Sequence, residues 1–109
     1  MIRGEIWTAS GGQNYAGKPR PVVIVQSDRF SGTASVTVCP FTSDPSDIPM
    51  LRPAIQPSLE NGLENPSRIM IEKISTIPRP KLGRRVGRLA ERDMNRVTRA
   101  IAVFLGLAD

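Results

Sequence analysis

Residues 19–27 read Pro19-Arg20-Pro21-Val22-Val23-Ile24-Val25-Gln26-Ser27, and the four β-branched residues at their centre decide what kind of fold this chain builds. Branching at Cβ favours extended backbone. An apolar run with no polar alternation predicts a strand at 20–27 that is covered on both faces, at the middle of a sheet. Working outward, the ten Pro and nine Gly cut the chain into short Val-, Ile- and Thr-rich pieces, the pattern of strands between turns. These pieces predict strands over 3–9, 34–41, 51–57 (weakened by Pro53), 68–77 and 84–89. Segments 10–19 and 42–50 collect turn-forming residues and read as loops. The apolar period then changes. Met94, Val97, Ile101, Phe104 and Leu105 make one stripe of a helix over about 90–107, with Glu91 and Asp93 in its first turn and Gly106 near its C-cap. The expected fold is mainly β (α+β): a small barrel of about six strands with a C-terminal α-helix, one domain over 1–109.

Composition narrows the function. The 109 residues carry 15 Lys+Arg against 10 Asp+Glu, a formal charge of +5, and the pI is near 10.4. That balance fits a polyanionic partner, nucleic acid foremost, although a charge excess also simply keeps a small domain soluble. Twelve of the basic residues are Arg, whose planar fork of donors matches phosphate oxygens. Ten bases fall between residues 68 and 99, against three acids. Zero His and the single Cys39 leave no internal disulfide, no zinc set and no His-based acid or base. No apolar run approaches the roughly 20 residues that cross a bilayer, and the start lacks a secretory h-region. A cytoplasmic protein with no membrane role is expected.

Candidate chemistry then rests on a few residues. Gly11, Gly12 and Gly17-Lys18-Pro19 do not form a P-loop or a dinucleotide turn, which leaves a loop that closes on a ligand or a plain connection. Within it Tyr15 offers a ring for base stacking, with Gln13, Asn14 and Lys18 as polar neighbours; a structural Tyr is the other reading. Arg20, held between two prolines at the start of the apolar strand, is either a snorkelling strand-end Arg or a guanidinium placed on a phosphate. Thr42 and Ser43 end the third strand and either cap a turn or bond phosphate oxygens. Glu72 interrupts the apolar segment around Ile69 and Ile71, so it is either paired with an Arg or poised for proton transfer. Cys39 reads as a small core hydrophobe. The Arg92, Arg96 and Arg99 stripe faces water or RNA.

Four stretches stand in one order: Arg3-Gly4-Glu5-Ile6-Trp7, Lys18-Pro19-Arg20-Pro21-Val22-Val23-Ile24-Val25, Pro40-Phe41-Thr42-Ser43 and Glu72-Lys73-Ile74-Ser75-Thr76-Ile77. Together they resemble the MazF/PemK (Kid) family of endoribonuclease toxins from type II toxin-antitoxin modules, over nearly the whole chain. The resemblance implies an SH3-like barrel shared with CcdB, a homodimer, and an antitoxin protein that blocks the RNA groove and binds DNA with the toxin. It further implies cleavage of single-stranded RNA without metal or cofactor, by attack of a ribose 2′-hydroxyl, leaving 2′,3′-cyclic phosphate and 5′-hydroxyl ends and halting translation and growth. By position, Arg20 matches the family's Arg-Pro arginine and Thr42 its strand-ending threonine. Glu72 matches an acidic residue that acts as base in PemK-type members, and Ser43 an RNA-contacting serine; Lys73 and Lys18 extend the RNA-binding set. The chain departs from the pattern at Asn14-Tyr15-Ala16-Gly17, where MazF proteins commonly carry Glu-Gln, at Met70, where PemK proteins carry Arg, and in lacking the PemK histidine. A non-enzymatic role, as a CcdB-like topoisomerase poison or a nucleic-acid-binding module, is the alternative. CcdB-type action goes with a Trp-Gly-Ile terminus, whereas this chain ends Gly106-Leu107-Ala108-Asp109.

Overall fold

A computed structural model describes residues 2–10 and 18–109. Seven strands, β1 (Glu5–Ala9), β2 (Arg20–Ile24), β3 (Ser35–Thr42), β4 (Ala54–Ile55), β5 (Ser67–Ile69), β6 (Ser75–Pro78) and β7 (Leu82–Arg88), precede one helix, α1 (Glu91–Phe104). The strands form one antiparallel sheet in the order β4-β5-β3-β2-β1-β7, with β6 also pairing with β3.

The apolar run at 22–25 is buried throughout, and its alternate residues supply two different cores. Val23 and Val25 point into one cluster with Ile6, Cys39, Phe41, Ile69 and Val97, on the side covered by α1. Val22 and Ile24 point into the other, with Ala9, Val36, Val38 and Leu82, which the curl of the sheet closes over. Two-sided burial is what the missing polar alternation required.

Two sequence expectations change. The expected strand over 68–77 is broken into β5, a 3₁₀ turn at Ile71–Lys73 and β6. The cause lies in β3, which changes partner along its length. Phe41 and Thr42 pair with Ile69 and Arg68, whereas Val38 back to Ser35 pair with Ser75 to Pro78. Three residues of slack separate these two registers, and the turn takes them up, so the one expected strand becomes two, β5 and β6. The expected strand over 51–57 contracts to Ala54–Ile55 because Pro53 and Pro57 cannot donate to a ladder. The carbonyls of Leu51 and Pro53 still accept from Ile71 and Ile69.

Helix α1 packs through Val97, Met94, Ala100 and Ile101, while Phe104 and Leu105, expected on the same stripe, are exposed. They are the last helical residue and the C-cap. Leu107 N–H reaches Ala102 O, Gly106 N–H reaches Val103 O, and Gly106 takes φ +76°, the Schellman closure that glycine permits.

Candidate active site

The N-terminal end of β2 and the C-terminal end of β3 lie side by side. Val22 pairs with Pro40, and continuing that antiparallel register by two residues brings Arg20 level with Thr42. Both side chains line a groove of about 720 Å³, with Ser43, Lys73, Arg52 and Arg84 also on its walls. Arg20 is exposed and Thr42 half-buried, and among the described residues Arg20 has no ion-pair partner. Thr42 Oγ1 accepts Asp44 N–H at 3.1 Å, which holds the hydroxyl in place while leaving its proton for an acceptor in the groove. Four cations face two acids, Asp44 and Glu64, across this space, so the groove is electropositive and attracts anions.

The opposite wall is a turn at residues 58–65. Buried Asn61 ties it down: its Oδ1 accepts Ser58 N–H and Leu63 N–H, both at 3.0 Å, and its Nδ2 donates to Gln56 O at 2.8 Å. The turn abuts β7 through Arg88 N–H to Glu60 O, 2.9 Å, so Leu63 and Glu64 are presented to the groove on rigid backbone.

Glu72 lies in the 3₁₀ turn instead of a strand. Its Oε2 accepts both Arg52 Nε at 3.1 Å and Arg52 Nη2 at 2.6 Å, while Oε1 is buried without a hydrogen-bond partner. Burial pushes this carboxyl up, but the Arg52 hydrogen bonds outweigh it and hold the group below its ordinary 4.5. Glu5 is held down likewise: burial raises it, and the Ile2 N–H, Trp7 Nε1 and Arg85 Nε donors overcome that. A depressed carboxylate stabilises the fold above its unfolded value and loses that contribution as pH falls through its native value. The melting temperature is therefore expected to hold between pH 5 and about 8, then fall steeply below about pH 4.5. Glu72→Gln should flatten part of that acid limb in a circular-dichroism titration. Cys39 is fully buried, and burial, then the nearby Glu72 charge, push its thiol up to about 12. It packs as a core residue.

Of the residues singled out in the sequence, the groove brings together Arg20, Thr42, Ser43 and Lys73. Glu72 is not among the lining residues but is bonded to Arg52, which is, and Lys18 is exposed and adjoins in sequence Pro19, which lines the groove. Gln13, Asn14 and Tyr15 lie outside the described residues. Arg52 and Arg84 were missed by sequence reasoning. For Arg52 a signal existed, because Arg52-Pro53 repeats the Arg20-Pro21 dipeptide. Arg96, on the helix stripe, bonds Asp93 at 2.9 Å and Ala54 O at 2.9 Å, while Arg92 and Arg99 are exposed. Among the described residues no three His, Cys, Asp or Glu side chains converge to hold a metal ion.

A curled antiparallel sheet with one C-terminal helix and an arginine-lined groove at its strand ends defines a small, mainly β protein with an electropositive groove. The sequence profile of the PemK-like, MazF-like toxins of type II toxin-antitoxin systems matches residues 2–105, and the chain belongs to that family. It is 56% identical over 108 residues, 99% of each chain, to a Mycolicibacterium smegmatis protein named "Probable endoribonuclease MazF". It is 29% identical, over 98% of each chain, to Mycobacterium tuberculosis "Endoribonuclease MazF9". Among solved structures, a mycobacterial endoribonuclease in complex with its cognate antitoxin superposes with TM-score 0.82 at 26% identity, covering 100% of this chain and 98% of that one. Deinococcus radiodurans MazF, at 15% identity with 97% of this chain and 96% of that one covered, shares the fold with TM-score 0.78.

Proposed function

We propose that this chain is the toxin of a type II toxin-antitoxin module, and that it cuts single-stranded RNA at internal positions without a metal ion. The observation that carries this reading is that Arg20, at the start of β2, and Thr42, at the end of β3, line one electropositive groove. The family and the 56% identical relative support it.

Arg20 lies over the scissile phosphate, and its guanidinium neutralises the extra negative charge of the five-coordinate phosphorane. Thr42 Oγ1 and Ser43 Oγ donate to the non-bridging oxygens and fix the phosphate in line. The ribose 2′-oxygen bonds to phosphorus and passes its proton to water, the bond from phosphorus to the 5′-oxygen breaks, and that oxygen takes a proton from water. A 2′,3′-cyclic phosphate and a 5′-hydroxyl result. Lys73 and Lys18 bind the strand on either side, and Gln13, Asn14 and Tyr15, on the segment between β1 and β2, contact bases.

The working form is a homodimer over one domain per chain, in the cytoplasm; among the described residues no helix is long and apolar enough to cross a membrane. Its protein partner is a cognate antitoxin that covers the groove, as an antitoxin accompanies the mycobacterial structure. The test is incubation with a long single-stranded RNA in EDTA, followed by mapping of fragment ends. Discrete cuts that share a short motif are expected. RNA left intact by folded protein contradicts the reading.

A further inference from the structure

Arg52 belongs to neither the four motifs nor the residues that flank them, yet its side chain lines the same groove as Arg20 and Thr42. A flexible, solvated Arg would contribute little there, since each encounter with a ligand would cost rotamer entropy. This Arg is not flexible. Glu72 grips one edge of its guanidinium, with Nε and Nη2 both on a single carboxylate oxygen, and only 16% of the Arg52 side chain is exposed. The remaining donor, Nη1, stands 3.9 Å from Asp44 Oδ2, a Coulombic neighbour beyond hydrogen-bond distance. Asp44 is half exposed, and its other oxygen is engaged by Ser46 N–H at 2.9 Å and Ser46 Oγ at 2.8 Å. The guanidinium therefore has one edge anchored and one edge facing a groove and a weakly held carboxylate.

The geometry points to Arg52 as a second phosphate-holding residue of the groove, with Glu72 as the positioning residue that fixes it and Asp44 as the anion an incoming phosphate displaces. Resting on the RNA-cleaving reading above, this assigns Glu72 to Arg52 instead of to proton transfer. The placement of Glu72 agrees: its Oε2 is taken by two Arg52 donors, and its Oε1, which has no hydrogen-bond partner, is buried, with Glu72 absent from the residues that line the groove. The phosphate in question is one adjoining the scissile phosphate, because Arg20 and Thr42 hold the latter at the strand ends and Arg52 enters from the segment before β4.

The test uses full-length protein, circular dichroism to establish folding, and two substrates: a cleavable single-stranded RNA, and its 2′-O-methyl analogue for binding by fluorescence anisotropy at several salt concentrations. Losing one phosphate contact on a single strand should flatten the slope of log affinity against log salt by about 0.7. Arg52→Ala is expected to do so and to weaken binding about tenfold. Arg52→Lys should retain the salt slope while losing the fixed geometry. Asp44→Asn, which keeps the oxygen that engages Ser46, should tighten binding about threefold by removing the competing charge.

Glu72→Gln preserves an acceptor for Arg52, so it should lower kcat less than about tenfold, leave the acidic limb of the pH–rate profile in place and raise KM. In Arg52→Ala the Glu72 charge is left facing the strand, so Arg52→Ala/Glu72→Gln should bind more tightly than Arg52→Ala alone. Two results overturn the assignment. One is Arg52→Ala binding the analogue with wild-type affinity and salt slope. The other is Glu72→Gln binding normally while losing about 10²-fold or more in kcat together with the acidic limb, the signature of a general base. Wild-type protein that binds the analogue through Arg52 but leaves RNA uncut would overturn the ribonuclease reading and uphold the Arg52 assignment.

Discussion

Arg20→Ala protein is expected to fold to the wild-type melting temperature and to cut single-stranded RNA about 10²- to 10³-fold more slowly. The size follows from removing one preorganised donor aimed at charge that develops only in the transition state. Stability should be indifferent because the Arg20 side chain is exposed and, among the described residues, has no ion-pair partner. The sheet below it is held by Val22, Val23 and Ile24, which stay in place. Single-turnover rates on a short RNA, with a melting curve of the same sample, measure both halves. A tenfold loss or less would place Arg20 in general binding of the strand and not at the reacting phosphate.

The second large effect concerns the fold that holds the groove open. Gly87, in β7, lies against the 58–65 turn so closely that a Cβ there would come within 2.4 Å of the Asn61 carbonyl group and 2.6 Å of Glu60 O. These are backbone atoms, and Asn61 is locked by its own three side-chain hydrogen bonds, so the clash cannot be relieved by a rotamer change. Gly87→Ala should cost about 3 kcal/mol and lower the melting temperature by more than about 10 °C. Because Leu63 and Glu64 ride on that turn at the groove wall, the surviving folded protein should also bind RNA less well. Gly32→Ala is the matched control, since a Cβ at Gly32 meets nothing within 4 Å, and it should melt like wild type.

What the sequence revealed, and what it concealed, divides along the range of the interactions. The run Val22-Val23-Ile24-Val25 needed no partner to announce a strand covered on both faces, because apolar residues without alternation fit no half-exposed position. The helix was likewise visible in the spacing of Met94, Val97 and Ile101. Arg20 and Thr42 were legible as residues at strand ends, and the antiparallel register of β2 on β3 is what brings them together.

The break at Ile71–Lys73 was not legible, because it arises from β3 pairing with β5 through Phe41 and Thr42 and with β6 through Ser35 to Val38. Nothing within 68–77 records a partner's change of register. The Arg52 and Glu72 pair was half legible: a carboxylate among apolar residues demanded a cation, but the cation lies 20 residues away in a segment whose prolines made it look like a failing strand. Phe104 and Leu105 were misplaced because the apolar spacing runs on into the last helical residue and the C-cap, and spacing alone does not record that the packing surface beneath them has ended.

Cleavage by the proposed route requires the substrate's 2′-hydroxyl. Once the cut position in a long RNA is known, two oligonucleotides spanning it, one all-ribose and one with a single 2′-deoxy sugar 5′ to the cut, are incubated with the protein in EDTA. The all-ribose strand should yield fragments ending in a 2′,3′-cyclic phosphate and a 5′-hydroxyl, and the deoxy strand should stay whole. Equal cutting of the deoxy strand, or fragments bearing a 5′-phosphate, would contradict attack by the substrate's own hydroxyl and the role given to Arg20 and Thr42.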